Sequence, residues 1–265
     1  MKLEIYLDKP IEQSAAVYFE RAKKLKRKLE GGKTALARHK AELVKAQAEK
    51  DTESQRLEQQ KQDKTKSASK SEWYEKFRWF FSSEGFLCIG GRDSTTNEIL
   101  IKKHAQEGDI VFHTKIEGSP FFIIKSDGKK IGEATLEETA QATASYSKGW
   151  KLGMPSLETF YVRPEQLSKS APSGEFLTKG AFVVKGAMSF IQAKLELAVG
   201  IKEGKVIGGP LNALKKNAEK YLVIQQGNEG TSELAKQIHK KLGGGSIDEI
   251  IKFIPAGGGK LSAGK

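Results

Sequence analysis

From residue 11 to residue 68 the chain contains no proline, and small or apolar residues recur at seven-residue intervals. Ala22, Leu29, Leu36, Leu43 and Leu57 share one heptad line, interrupted only at Lys50. The companion line holds Leu25 and Ala46 but also Gly32, His39 and Glu53. This spacing predicts a long helix with a coiled-coil seam that is strong on one line and weak on the other. Such a seam calls for a partner helix. Gly31-Gly32 is expected to kink the helix or to turn it into a short hairpin. Before Pro10, the alternation of Leu3, Ile5 and Leu7 reads as a strand. Residues 51–71 are rich in Gln, Lys and Ser, so this end is expected to be solvated and frayed.

The composition then changes abruptly. Trp73, Tyr74, Phe77, Trp79, Phe80 and Phe81 place six aromatic residues in nine positions. With Ser71 as N-cap, Trp73, Phe77 and Phe80 fall on one helical face, a spacing that favours core packing over a base-stacking platform. Strands are predicted at 86–89 and 99–102, flanking a polar turn at 90–97, and again at 110–113 and 121–125. Asp127-Gly128 marks a turn. Thr135 and Glu138 have capping-box spacing, predicting a helix that runs to about Trp150. Strands at 157–162 and 181–185 enclose a Pro/Ser/Lys loop at 163–175. The order gives an α+β fold over residues 71–190. Beyond it, residues 191–265 read as a small α/β extension. It has strands at 195–199, 206–207 and 221–224, helices after Gly208-Gly209-Pro210 and at 231–242 and 246–253, and a flexible end at 256–265.

The net charge of +12 favours a polyanionic partner. Its distribution is uneven. Residues 1–70 carry 18 basic and 11 acidic side chains, residues 71–190 carry 15 of each, and residues 191–265 carry 12 and 7. General phosphate attraction is therefore expected from the flanks, and shape or individual contacts from the neutral middle. No run approaches the roughly 18 apolar residues that span a bilayer, and the first ten residues lack the apolar core of a signal peptide. The single cysteine, Cys88, excludes an intrachain disulfide and suits a reducing compartment. No cofactor or metal is expected, because four histidines and one cysteine show no ligand-like spacing.

Several segments carry a family resemblance: Trp73-Tyr74-Glu75-Lys76-Phe77-Arg78-Trp79-Phe80, Gly90-Gly91-Arg92-Asp93, Asn97-Glu98, Gly108-Asp109, His113, Gly118, and Gln166-Leu167-Ser168-Lys169 with Ala171-Pro172-Ser173-Gly174-Glu175. In this order and spacing they resemble the NFACT-R domain of the NFACT family. Residues 3–45, including the basic run 22–28, resemble the coiled-coil arm that leads into that domain. The resemblance implies a non-catalytic RNA-binding module in ribosome-associated quality control. Its partners would be tRNA and the rRNA of a large ribosomal subunit carrying a stalled chain, in the cytoplasm. It would recruit tRNA for untemplated extension while the ribosome performs peptide transfer. Two features depart from the family. The N-terminal domain and the outgoing coiled-coil arm are absent, so the missing N-terminal half, on the same gene or a separate chain, is an expected partner. And Lys115 stands where family members usually carry an acidic residue.

Within this frame the candidate RNA contacts are Arg92, Asp93, Asn97, Lys102, His113 and Lys169, with Lys23, Lys24 and Arg27 on the arm. Asp93 and Asn97 equally suit a turn held by side-chain to backbone bonds. Arg92 has no turn-forming role and fits phosphate contact or base stacking. His113, ending a strand, is either a hydrogen-bonded core histidine or an RNA contact. Lys169 lies in a loop. Along the arm, the basic run is a solvated face or a phosphate ligand. No paired carboxylates, nucleophile–base pair or phosphate loop points to an enzyme. The alternative function is a protein-interaction or structural module that docks a partner through the helical arm.

Overall fold

The computed structural model describes residues 10–66, 72–170 and 177–262. The proposed strand at Leu3, Ile5 and Leu7, the Ser71 cap and the segment Ala171-Pro172-Ser173-Gly174-Glu175 lie outside the described residues. So do the seam side chains Ala46, Lys50, Glu53 and Leu57. The chain divides into two units, Met1–Ser71 and Glu72–Lys265.

The first unit holds one helix, α1 (Ile11–Lys66), 56 residues long. It runs through Gly31-Gly32 with no hairpin turn, so of the two alternatives the hairpin is corrected. Neither glycine meets another group that would force a turn, and the helix geometry costs glycine only about 1 kcal/mol each. Leu25, Leu29, Leu36 and Leu43 are 60–65% exposed. At these positions the seam is uncovered among the described residues.

The second unit is α+β. A short 3-10 turn, Trp73–Lys76, leads into β1 (Arg78–Phe81), β2 (Leu87–Gly90), α2 (Ser94–Ile99), β3 (Ile110–Thr114), β4 (Phe122–Ile124), α3 (Glu133–Ser145), α4 (Lys148–Lys151) and β5 (Ser156–Val162). The short strands β6 (Leu167–Ser168) and β7 (Val183–Val184) pair with each other. Then come β8 (Ser189–Lys194), β9 (Leu197–Lys202), β10 (Lys205–Gly209), α5 (Leu211–Asn217), β11 (Lys220–Glu229), α6 (Thr231–Leu242), α7 (Ile247–Ile251) and β12 (Gly259–Leu261). A six-stranded sheet has the order β1-β2-β4-β3-β5-β8 and a four-stranded one β10-β9-β11-β12, and every pairing is antiparallel.

Both faces of the larger sheet are buried. Cys88, Phe112, Phe122 and Ile124 pack into one cluster with Ala140 and Ala144 of α3. Ile89, Val111 and Ile123, their neighbours along the strands, pack into a second cluster with Leu100 and Ile101. This explains why β2 and β4 are continuous apolar runs rather than alternating ones.

Four elements differ from the sequence reading. The aromatic run is a 3-10 turn and a strand, not a helix. Arg78 and Phe80 reach one face, toward Tyr146 and Phe122, while Trp79 and Phe81 reach the other, where both meet Tyr74. Six aromatics in nine positions satisfy a period of two as well as 3.6. The expected strand at 99–102 is helical. The Asp93 carboxylate accepts from the Thr96 N–H at 2.8 Å and starts α2. The helix ends in a wider turn, Leu100–His104, closed by the Ala105 N–H on the Leu100 carbonyl.

No local capping box opens α3. Thr135 and Glu138 instead hold the β1–β2 hairpin: the Thr135 N–H donates to Glu84 at 3.0 Å, and Glu138 accepts from the Ser83 N–H at 2.9 Å. Gly132 allows this approach, since a Cβ there would lie 1.9 Å from the Glu84 carboxylate. The helix also stops at Tyr146, and Ser147 caps the separate α4 through the Gly149 N–H.

Fourth, the 190/191 boundary falls inside β8, which pairs with β5 along its whole length. The largest core cluster runs across it, uniting Phe80, Phe122 and Trp150 with Val199, Val206 and Phe253. The last turns are tied in as well. Trp150 Nε1 donates to the Gly258 carbonyl at 2.8 Å, and β12 pairs with β11. The expected flexible end is thus corrected for residues 256–262.

Candidate nucleic-acid interface

Asn97 stands at the junction of two clefts. It is buried on α2, where its Oδ1 accepts from the Phe121 N–H at 3.2 Å. Gly91 makes room for it, because a Cβ there would lie 1.9 Å from that oxygen. The larger cleft, about 410 Å³, runs from Asn97 past His113 and Phe121 to Lys179 and Phe182. The smaller, about 80 Å³, is lined by Arg78, Arg92, Asp93 and Tyr146 and shares Asn97, Gly118 and Ser119 with the first.

His113 forms a wall of the larger cleft. Its ring stacks on Phe121, with centroids 4.1 Å apart and planes 27° from parallel. Its Nε2 lies 3.1 Å from the Ser119 carbonyl, which can only accept, so this nitrogen carries a proton. Burial holds the imidazole below its ordinary pKa, partly offset by the carbonyls of Thr114 and Ser119. The ring is neutral near pH 7 and presents a flat, uncharged face.

Glu98 organises the far rim. It pairs with Lys102 at 2.6 Å and Lys169 at 3.5 Å, and accepts from the Gly180 N–H at 3.3 Å. The Lys102 contact holds its carboxyl down to about 2, with burial opposing and the Gly180 N–H and Lys169 assisting. Lys169 also lies over the Phe182 ring at 4.4 Å. Both lysines are therefore shared with a carboxylate, and Lys148 and Lys179 are further cations along the cleft. Gly180, at φ 82°, brings the 178–184 segment against Ser94, where a Cβ would lie 2.7 Å from the Ser94 carbonyl oxygen.

Asp93 is committed to capping α2, and the bonds with Thr96 hold its carboxyl below the usual range. Arg92 is half-buried and donates one Nη to the Phe77 carbonyl at 2.9 Å. Arg78 lies over the Tyr146 ring at 4.4 Å. Lys115, the departure from the family pattern, pairs with Glu158 at 2.9 Å on the neighbouring strand.

The structure thus brings together Arg92, Asp93, Asn97 and His113, with Lys102 and Lys169 at the rim. Lys23, Lys24 and Arg27 belong to α1, exposed, with Lys23 4.0 Å from Glu20. Sequence reasoning passed over Arg78, Lys148, Lys179 and Phe182. Arg78 had a usable signal, a cation flanked directly by aromatic residues on both sides, Phe77 and Trp79. Lys179 had another, the glycine that follows it. Among the described residues no helix is long and apolar enough to cross a membrane.

Residues 76–186 match the NFACT protein RNA binding domain. The chain is 41% identical over 204 residues to the Archaeal Rqc2 homolog aRqcH of Methanocaldococcus jannaschii, covering 74% of this chain and 30% of that protein. It is 38% identical over 152 residues to the human Ribosome quality control complex subunit NEMF, covering 57% of this chain and 14% of that protein. To the Drosophila melanogaster homolog of that subunit it is 39% identical over 125 residues, covering 47% and 12%. The chain therefore spans less than a third of the length of these relatives. The match falls on the segment that holds both clefts, and with these identities it shows that the chain belongs to the NFACT family.

Proposed function

We propose that this chain is a non-catalytic RNA-binding portion of a cytoplasmic ribosome quality control factor. It binds tRNA and the RNA of a stalled large subunit, and supports untemplated extension of the nascent chain by recruiting tRNA. The observation that carries this reading is the pair of joined clefts within residues 76–186. They combine arginine, lysine and flat aromatic surface, the groups that bind phosphate and unstacked bases. The human relative is named as a ribosome quality control complex subunit, and the archaeal one as an Rqc2 homolog. Filter binding of tRNA across a salt series tests it. Affinity should fall steeply and linearly in log–log form as salt rises. Absence of binding at low salt, or binding indifferent to salt, removes the reading.

A second reading has its own observation, the exposed seam residues Leu25, Leu29, Leu36 and Leu43 on α1. It is that the arm docks a partner helix from the N-terminal half of the family architecture. Sedimentation with the N-terminal half of the archaeal relative should give a complex that Leu29→Lys with Leu36→Lys abolishes. A chain that ignores that half sinks this reading.

A further inference from the structure

Two guanidinium groups, Arg78 and Arg92, line the smaller cleft, and neither forms an ion pair with a carboxylate among the described residues. The Nε of each is buried without a hydrogen-bond partner. Arg78 is nine-tenths buried against the face of Tyr146, where it feels the like charge of Arg92 and the opposite charge of Asp93, with which it forms no ion pair. Arg92 spends one Nη on the Phe77 carbonyl. The nearest acid, Asp93, has its carboxylate turned to the Thr96 N–H and hydroxyl. Like charges placed together, desolvated and left with free donors are costly unless an anion completes them. The forked donors of arginine match an oxyanion with two or more oxygens.

We propose that the Arg78–Arg92 cleft is a phosphate subsite and that, when RNA binds, it takes one backbone phosphate. The inference rests on the RNA-binding reading for the source of the phosphate, and on the cleft itself for the anion. The size is right: about 80 Å³ admits a tetrahedral oxyanion. The continuity is right as well. Asn97, Gly118 and Ser119 wall both clefts, so an adjoining base would enter the larger one beside the stacked rings of His113 and Phe121. Phosphate in the small cleft and base in the large one are the two ends of one nucleotide. The Tyr146 hydroxyl faces away, donating to the Phe253 carbonyl at 2.9 Å, so the ring serves as a platform for Arg78 and not as an anion ligand.

The test follows the two arginine Nε–H resonances of the full chain by nitrogen-15 NMR, with inorganic phosphate as the first probe and tRNA as the second. Phosphate should shift both resonances in a saturable way, and tRNA should abolish the response to phosphate. Arg92→Lys keeps the cation but loses the fork. It should weaken phosphate binding several-fold and leave the melting temperature close to wild type, while the retained cation keeps the salt slope of tRNA binding near the wild-type value. Arg78→Met, which removes the charge but retains a stem against Tyr146, should weaken phosphate binding as well and flatten the salt dependence of tRNA binding by about 0.7 in slope, one single-strand phosphate contact. Unmoved resonances under phosphate overturn the subsite outright. If phosphate shifts them and tRNA binds elsewhere without competing, the assignment to RNA is overturned and a free phosphate ligand replaces it. If tRNA does not bind at all while phosphate does, it is the RNA-binding reading that fails, and the anion site stands.

Discussion

At the scale of single residues, the buried titratable groups predict how stability responds to pH. Burial holds His113 below its ordinary pKa, so the unfolded chain binds a proton that the folded one refuses. Stability is then fully present above the unfolded value of about 6.5 and declines as pH falls from there toward the lowered folded value. Urea unfolding at pH 7.5 and 5.5 should show this loss in the wild type, and His113→Gln should reduce it. Glu138 has the opposite sign. It is buried with one carboxylate oxygen unpartnered, and burial raises its pKa, with the Ser83 N–H opposing and the repulsion from Glu84 adding to the rise. Its contribution is present below the unfolded carboxylate value and is lost as pH rises through the folded one. Glu138→Gln should therefore gain stability relative to wild type at pH 7 and not at pH 4.

Among the elements, α2 is the one on which the interface depends. Its start is the Asp93–Thr96 box and its first buried residue is Asn97. Asp93→Ala should cost about 1 kcal/mol of unfolding free energy and weaken tRNA binding by loosening Asn97. Asp93→Asn should restore most of both, as read by urea melts and filter binding. This helix also shows why some elements were legible and others were not. Thr231–Leu242 could be read directly, because Leu234, Ala235, Ile238 and Leu242 fall on one face and Gly243 closes it in the left-handed region. The residues 90–97 were equally local, yet Asp, Thr and Asn suit a hairpin turn as well as a helix cap. For α3 the decisive partner is Glu84, 51 residues away, and no local pattern contains it. The same distinction governs the site. Arg92, Asn97 and His113 were found through the family pattern. Arg78 and Lys179 join them only through the pairing of β1 with β2 and the turn at Gly180.

For the molecule as a whole, the core that crosses residue 190 makes a thermodynamic claim. Leu214 lies in the C-terminal part and is 1% exposed. Leu214→Ala should destabilise the 72–265 unit by about 2–5 kcal/mol and shift a single unfolding transition seen by Trp79 and Trp150 fluorescence. Two separated transitions would mean two domains. On the arm, Lys23→Gln, Lys24→Gln and Arg27→Gln together should leave that transition unmoved and reduce the salt slope of tRNA binding by up to about 2.

The hydrogen bond from Trp150 to Gly258 has a consequence in time as well as in space. Translation delivers residue 150 more than a hundred positions before its acceptor, and β1 before Asn217, whose amide binds the Phe81 and Ser82 carbonyls. Long sequence separations of this kind delay closure until late in synthesis. The half-made protein must therefore wait with its aromatic edge unsealed. A polypeptide truncated before residue 258 should be caught by holdase chaperones, whereas the full-length product should escape them.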